Sequence, residues 1–230
     1  MNVSKSKIKT LQNCPLLFKW QYIDHRTPDI PPAAVTRIGL DVHDIFNKFF
    51  DNIKFEEIPE NPLEYFKSAL TVLPQYKGIY DVFCQHQTRQ WNKLVKYNRT
   101  NEFIPLLREH KFINNDEVGI IDCVYNDGND YAILDYKSTA SNPTMLRFEL
   151  CFYAKIVNDS KILDKSVRYI GAYGYRDGSL FYEDINNRSY NLMLKKVDDF
   201  KAKDFSTMNF VKNIGWHCSW CSYINSCNKV

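Results

Sequence analysis

Residues 119–137, GIIDCVYNDGNDYAILDYK, decide how this chain is read. Two runs rich in β-branched and apolar residues, 118–125 and 131–136, flank Asn126-Asp127-Gly128-Asn129. Asp-Gly between such runs is a strong short-range hairpin signal, so the stretch predicts two antiparallel strands. Whether Asp127 and Gly128 or all four residues make the loop, the expected register pairs Asn126 with Asn129, Tyr125 with Asp130 and Asp122 with Ile133. Side chains alternate with a period of two, so Asp122, Ile133, Asp135 and Lys137 share a face. The two aspartates are then diagonal neighbours with Cβ atoms about 7 Å apart, a spacing that one or two divalent ions can bridge.

The same face carries Ile120, Val124 and Ile133 and is therefore expected to look into a core. Like charges near an apolar layer are costly unless a cation or hydrogen bonds compensate them. Taken alone, Asp-x-Lys is also satisfied by an ion pair between Asp135 and Lys137 on an edge strand, with Asp122 solvated. The rest of the chain separates these readings.

Outward from the hairpin, the N-terminal side is helical. Ser4 and Ser6 offer N-caps to a short helix through Ile8 and Leu11 toward Cys14-Pro15, continued by the amphipathic LLFKWQYI. Prolines mark residues 27–32 as a loop. In 34–55, Val35, Ile38, Val42, Ile45, Phe46 and Phe49 recur at helical spacing, with His43 beside that stripe. Two more helices are expected at 62–73 and 78–97, and His86 on the second reads as a surface or satisfied histidine.

A first strand is expected near 106–112, containing Glu109. After the hairpin, 143–158 reads as a helix on which Glu149 and Tyr153, four apart, share a face. A second hairpin joins 167–175 to 179–185 at Asp177-Gly178. A helix at 189–203 exposes Lys195, Lys196, Lys201 and Lys203, which read as a solvated face.

The chain has 230 residues, enough for one large domain with a substantial core, and a net charge of +3, too small to identify a nucleic-acid partner by itself. No run reaches transmembrane length and the N-terminus lacks the apolar core of a signal peptide, so an intracellular location and no membrane partner are expected. Seven cysteines without an export signal argue against a disulfide framework. Cys84, Cys123 and Cys151 sit singly in apolar contexts and read as core residues. Cys218, Cys221 and Cys227 crowd the C-terminal tail, where with Cys14 they offer four thiolates, a set that suits Zn²⁺ or a [4Fe-4S] cluster alike.

Helices followed by strands, a helix and more strands predict a mixed α/β fold with a covered sheet. His43 in GLDVHDIF, Glu109 in REHKF, Gly119-Ile120-Ile121-Asp122, Ile133-Leu134-Asp135-Tyr136-Lys137 and Glu149-x3-Tyr153 follow one another in an order that resembles the PD-(D/E)XK nuclease superfamily. Within it the chain is similar to the RecB-like branch, which includes the AddB nuclease domain and the CRISPR-associated iron-sulfur exonucleases. The resemblance runs from Cys14 to Cys227.

It implies a single domain over residues 1–230, with a restriction-endonuclease-like mixed central sheet flanked by helices. Residues 28–100 would be the helical region, 103–185 the catalytic sheet core, and Cys14 with 215–230 a cysteine staple. It also implies that His43, Asp122, Asp135 and the main-chain carbonyl of Tyr136 hold Mg²⁺ or Mn²⁺, that Lys137 orients or activates the attacking water, and that Glu109 has a secondary role. Oxygen ligands suit either ion and an imidazole tips the preference toward Mn²⁺. Glu149 stands where the branch more often has glutamine, a departure that bears on substrate handling, while Tyr153 is retained.

One distant cysteine with Cys218-x2-Cys221-x5-Cys227 matches the iron-sulfur members and implies a structural [4Fe-4S] cluster, with zinc as the alternative. The implied activity is metal-dependent hydrolysis of DNA, as an exonuclease on single-stranded ends. Helicase, recombination or CRISPR-adaptation proteins, and a second copy of the chain, are the partners that go with it. The competing readings are a non-catalytic subunit of the same fold that holds DNA ends or a partner, and a zinc-stapled binding module.

Overall fold

A computed structural model describes residues 1–31, 34–70 and 73–228, with side chains omitted at 34–36. Expectations at Pro32, at the side chain of Val35, at residues 71–72 of the predicted helix 62–73 and at the last two residues of the tail fall outside it.

The first helical stretch is broken where the sequence places Cys14-Pro15. Helix α1 (Lys5–Asn13) is capped by the Ser4 side chain and ends at Cys14; α2 (Pro15–Phe18) restarts with proline in its first turn, where no amide is needed, and runs into a π-helical turn, Lys19–Ile23. Helix α3 (Ala34–Asp51) buries Val42, Ile45, Phe46, Phe49 and Phe50, as its periodicity requires. Helix α4 (Leu63–Ser68) is shorter than expected, and α5 (Lys77–Lys96) is the longest of the helical region.

Strands β1 (Leu107–Asn114), β2 (Glu117–Asp127) and β3 (Asp130–Lys137) form an antiparallel meander. Helix α6 (Pro143–Ser160) crosses to β4 (Val167–Gly174), which pairs parallel with β3, and β5 (Leu180–Asp184) closes the second hairpin. The sheet order is β1-β2-β3-β4-β5. Helix α7 (Asn187–Lys201) follows, and the tail holds a 3₁₀ turn, Trp216–Trp220, and the short α8 (Ile224–Cys227).

Apolar layers cover both faces. On one, Ile121, Val124, Ile133 and Ile170 meet α1, α6 and α7; on the other, Cys123, Leu134, Tyr136 and Tyr173 meet α3, α4 and α5. This is the mixed sheet between helices that the order of elements predicted. Cys84, Cys123 and Cys151 are all buried core residues.

The hairpin register differs from the expected one by one residue per strand. Asn126 pairs with Tyr131, Tyr125 with Ala132 and Val124 with Ile133, while Asp127 and Asp130 close a turn of Gly128 and Asn129. Gly128 takes φ +65°, the left-handed conformation that a tight hairpin demands of its first turn residue. Asp127 is held out of the turn by Arg99 at 2.5 Å and by the Tyr182 hydroxyl. The shift moves both strands together, so the side chains keep their faces.

His86 is buried, 4% exposed, and its ring stacks on Tyr173 at 4.4 Å. Burial, helped by Arg89, lowers its pKa to about 4. A histidine whose folded pKa lies below its unfolded value stabilises the fold above pH 6.5 and loses that contribution as the pH falls toward 4. The loss through this one group is expected to reach roughly 3 kcal/mol. Urea unfolding of wild type and His86→Leu between pH 7 and 4 checks it: the wild-type curve should fall more steeply, and parallel curves would refute it.

Candidate metal and catalytic site

The site forms where the β1–β2 ladder is distorted. Arg108 pairs with Cys123 and His110 with Ile121, but Glu109 between them takes φ +44°, rare for a residue with a side chain. Opposite it, the alternation of β2 slips: Ile121 joins the α6–α7 layer and Cys123 the α3–α5 layer, although they are two residues apart. Asp122 sits at this slip. Ile120, expected to share a core-facing side with it, is therefore 52% exposed. Backbone strain of this kind gathers at functional sites, where the surrounding structure holds it in place.

Helix α3 brings in the imidazole. Arg108 ties β1 to that helix by hydrogen bonds to Asn47 O (2.6 Å) and Asp51 Oδ1 (2.5 Å). His43 Nδ1 lies 3.3 Å from Glu109 Oε1 and 3.4 Å from Asp122 Oδ1, and Nε2 lies 3.2 Å from the carbonyl oxygen of Tyr136. His43, Glu109 and Asp122 are the only His, Cys, Asp or Glu group of three or more among the described residues whose ligand atoms all lie within 4.8 Å of one another. Each of these polar contacts of the ring nitrogens is to an acceptor. Burial lowers the His43 pKa, but hydrogen bonds and charge from Asp122 and Glu109 outweigh it and raise the pKa to about 10. A proton thus fills the cationic role that this ring of acceptors demands.

Asp122 is 6% exposed, and its Oδ2 accepts the Tyr136 amide at 2.6 Å, tying β2 to β3 next to the carbonyl that faces His43. Asp135 is 1% exposed. Burial, and then the Asp122 charge, push its pKa up to about 7 against the pull of Lys137 and Lys5. Its Oδ2 is ion-paired with the Lys137 ammonium. The structure thus gathers His43, Glu109 and Asp122 within 4.8 Å of one another, oxygen and nitrogen donors that suit a divalent cation, while Asp135, expected among the ligands, stands outside that group and is paired with Lys137.

Lys137 also donates to Glu149 Oε1 at 2.6 Å, and Lys5 of α1 contacts that same oxygen. Burial works against the charge on Lys137, but Asp135 and Glu149 hold its pKa above the usual lysine range. Burial likewise opposes ionisation of Glu149, yet Lys137 and Lys5 bring it down to about 2. Tyr153 packs its ring below Lys5 Nζ at 4.5 Å and against Gly119, where an added Cβ would come within 3.1 Å of the ring. Lys5 gave no signal in the sequence, because nothing local marks a lysine in the first turn of a helix as reaching a residue 144 positions away.

The model of the PD-(D/E)XK nuclease superfamily matches residues 2–228. The chain belongs to this superfamily. As a PD-(D/E)XK protein it has a nuclease fold, whose usual cofactors are Mg²⁺ and Mn²⁺, with an acidic cluster able to hold such an ion. A comparison with curated proteins found no match. No helix among the described residues is long and apolar enough to cross a membrane.

The cysteines of this PD-(D/E)XK chain lie on the opposite end of α1. Cys221 and Cys227 pack against Cys14, Leu16, Trp20 and Tyr223. Burial raises the Cys221 thiol, a Tyr223 backbone hydrogen bond lowers it, and Cys14, Cys227 and Cys218 all lie near enough to raise it further. The Gly215 amide donates to Cys218 Sγ at 3.5 Å. His217 is engaged with Asn213 O at 2.9 Å. The tail is sewn to the N-terminal region by Ile30 N to Ser222 O, the Tyr223 hydroxyl to Arg26 O, and Asn213 to Asn13 O. Lys201, expected on a solvated face, instead reaches the buried Glu117 at 2.8 Å, as does Lys155 at 2.7 Å.

Proposed function

We propose that this protein is a metal-dependent deoxyribonuclease of the RecB-like branch, acting as an exonuclease on single-stranded DNA ends, with a structural [4Fe-4S] cluster. The observation that carries the reading is the convergence of His43, Glu109, Asp122 and the Tyr136 carbonyl, with the buried Asp135 paired to Lys137 on the same strand as Tyr136. His43, Asp122, Asp135 and the Tyr136 carbonyl would hold Mg²⁺ or Mn²⁺, and Glu109 stands close enough to join them. A divalent ion there supplies Lewis acidity toward water and neutralises charge on the scissile phosphate. Lys137, held between Asp135 and Glu149, presents an ammonium to the negative charge that develops on the phosphate during hydrolysis. Tyr153 walls the site beside Gly119.

Cys14, Cys218, Cys221 and Cys227 would hold the cluster. Four thiolates suit Zn²⁺ or a [4Fe-4S] cluster alike; what favours the cluster is the resemblance of the Cys14 and Cys218-x2-Cys221-x5-Cys227 pattern to the iron-sulfur members of the branch.

The test is purified protein, prepared without oxygen, on 5′- and 3′-labelled single-stranded and duplex DNA with Mn²⁺, Mg²⁺ or a chelator. Metal-dependent shortening from one end of single strands is the expected result. DNA binding without cleavage under any metal would instead support a non-catalytic end-holding subunit.

A further inference from the structure

We propose that Lys5, at the start of α1, is a positioning residue of this site: it shares Glu149 with Lys137 and so sets how tightly Lys137 is held. This deepens the nuclease reading and rests on it.

Both ammonium groups converge on one atom. Lys137 Nζ donates to Glu149 Oε1 at 2.6 Å and Lys5 Nζ contacts the same oxygen. The Glu149 side chain is 12% exposed and that of Lys5 24%, so the pair is only partly screened by water. Within this layer, Asp135 and Glu149 are balanced by Lys137 and Lys5. With Lys5 removed, two carboxylates would share one ammonium in a buried setting, an imbalance that low dielectric makes costly. Lys137 would be drawn more firmly onto the acids and would be less free to meet a phosphate. The uncompensated charge would also face an anionic substrate.

The placement of Lys5 is enforced. The Ser4 side chain caps α1 through Lys7 N at 3.3 Å, and the other end of the helix is Cys14. The Lys5 ammonium lies 4.5 Å from the centre of the Tyr153 ring. Lys5, Ser6 and Lys9 of α1 face Met145 and Phe148 of α6 across a cleft that also opens on Glu149. A lysine so fixed compensates Glu149 without occupying the place of Lys137.

A double-mutant cycle tests the idea: wild type, Lys5→Met, Glu149→Gln and the double variant, with kcat and KM measured on a single-stranded oligonucleotide in Mn²⁺ and Tm measured for each. Lys5→Met is expected to lower kcat about tenfold, the factor that corresponds to 1.4 kcal/mol. In the Glu149→Gln background, where no charge needs compensation, the same change should alter kcat by less than about twofold. The same relative loss in both backgrounds, or no loss in either, would overturn the proposal, since Lys5 would then act by packing or not at all. A wild type without cleavage would refute the nuclease reading separately. The Tm cycle then decides on Lys5, with additive shifts counting against its coupling to Glu149.

Discussion

Asp135→Asn is expected to abolish DNA cleavage and, in the absence of metal, to stabilise the protein. The two effects have one origin. Asp135 is a fully buried acid whose pKa is raised to about 7 by burial and by the Asp122 charge. An acid with a raised folded pKa contributes fully to stability only below its unfolded pKa near 3.8, and the contribution is lost as the pH rises through 7. At pH 8 the folded chain therefore carries an ionised, partly uncompensated carboxylate. Asparagine keeps the shape and removes a charge that this site disfavours even with Lys137 beside it, which should raise metal-free stability at pH 8 by about 1–3 kcal/mol. The same substitution removes the carboxylate oxygen proposed to hold the cation, and should reduce kcat by a factor of about 10³ or more. Urea unfolding in a chelator at pH 8, set beside a cleavage assay in Mn²⁺, reads both. A variant that loses activity because it loses stability would contradict this account.

Cys14→Ala has the second large effect. As a packing change it is minor: alanine fills most of the space of a thiol, and deleting so few buried atoms costs about 1 kcal/mol. If Cys14 shares a cluster with Cys218, Cys221 and Cys227, however, the substitution also releases a link that spans almost the whole chain. Closing a loop of that length in the unfolded state is worth about 5 kcal/mol on the chain-entropy account, and cluster binding adds to it. Cys84→Ala, at another buried cysteine, is the control and should show the packing term alone. Chemical unfolding of the two variants under anaerobic conditions separates the cases. Comparable losses would mean that Cys14 is only a core residue. A much larger loss for Cys14→Ala, accompanied by loss of visible absorbance, is the predicted result.

The sequence carried the fold well and the site in part. The Asp-Gly signal located the β2–β3 hairpin, and helical periodicity placed His43 on α3, because both are local patterns. The observed register departs from the local expectation since Asp127 is pinned by Arg99 and Tyr182, partners that local propensity does not see. Glu109 stands with His43 and Asp122. Its position depends on a left-handed backbone and a slip in the strand alternation, and neither follows from a pattern of period two. Glu149 stood out as a departure from the related branch, but its second partner, Lys5, becomes visible only once α1 lies across α6. Long-range charge compensation is a property of the packed state.

The most direct test of the account is anomalous diffraction at the manganese edge from crystals grown with Mn²⁺. One peak is predicted at the His43, Glu109 and Asp122 cluster, beside the Tyr136 carbonyl, and it should vanish in Asp122→Asn. Crystals saturated with Mn²⁺ that show no peak there, or that keep the peak in the variant, would contradict the claim that these side chains form a divalent-cation site.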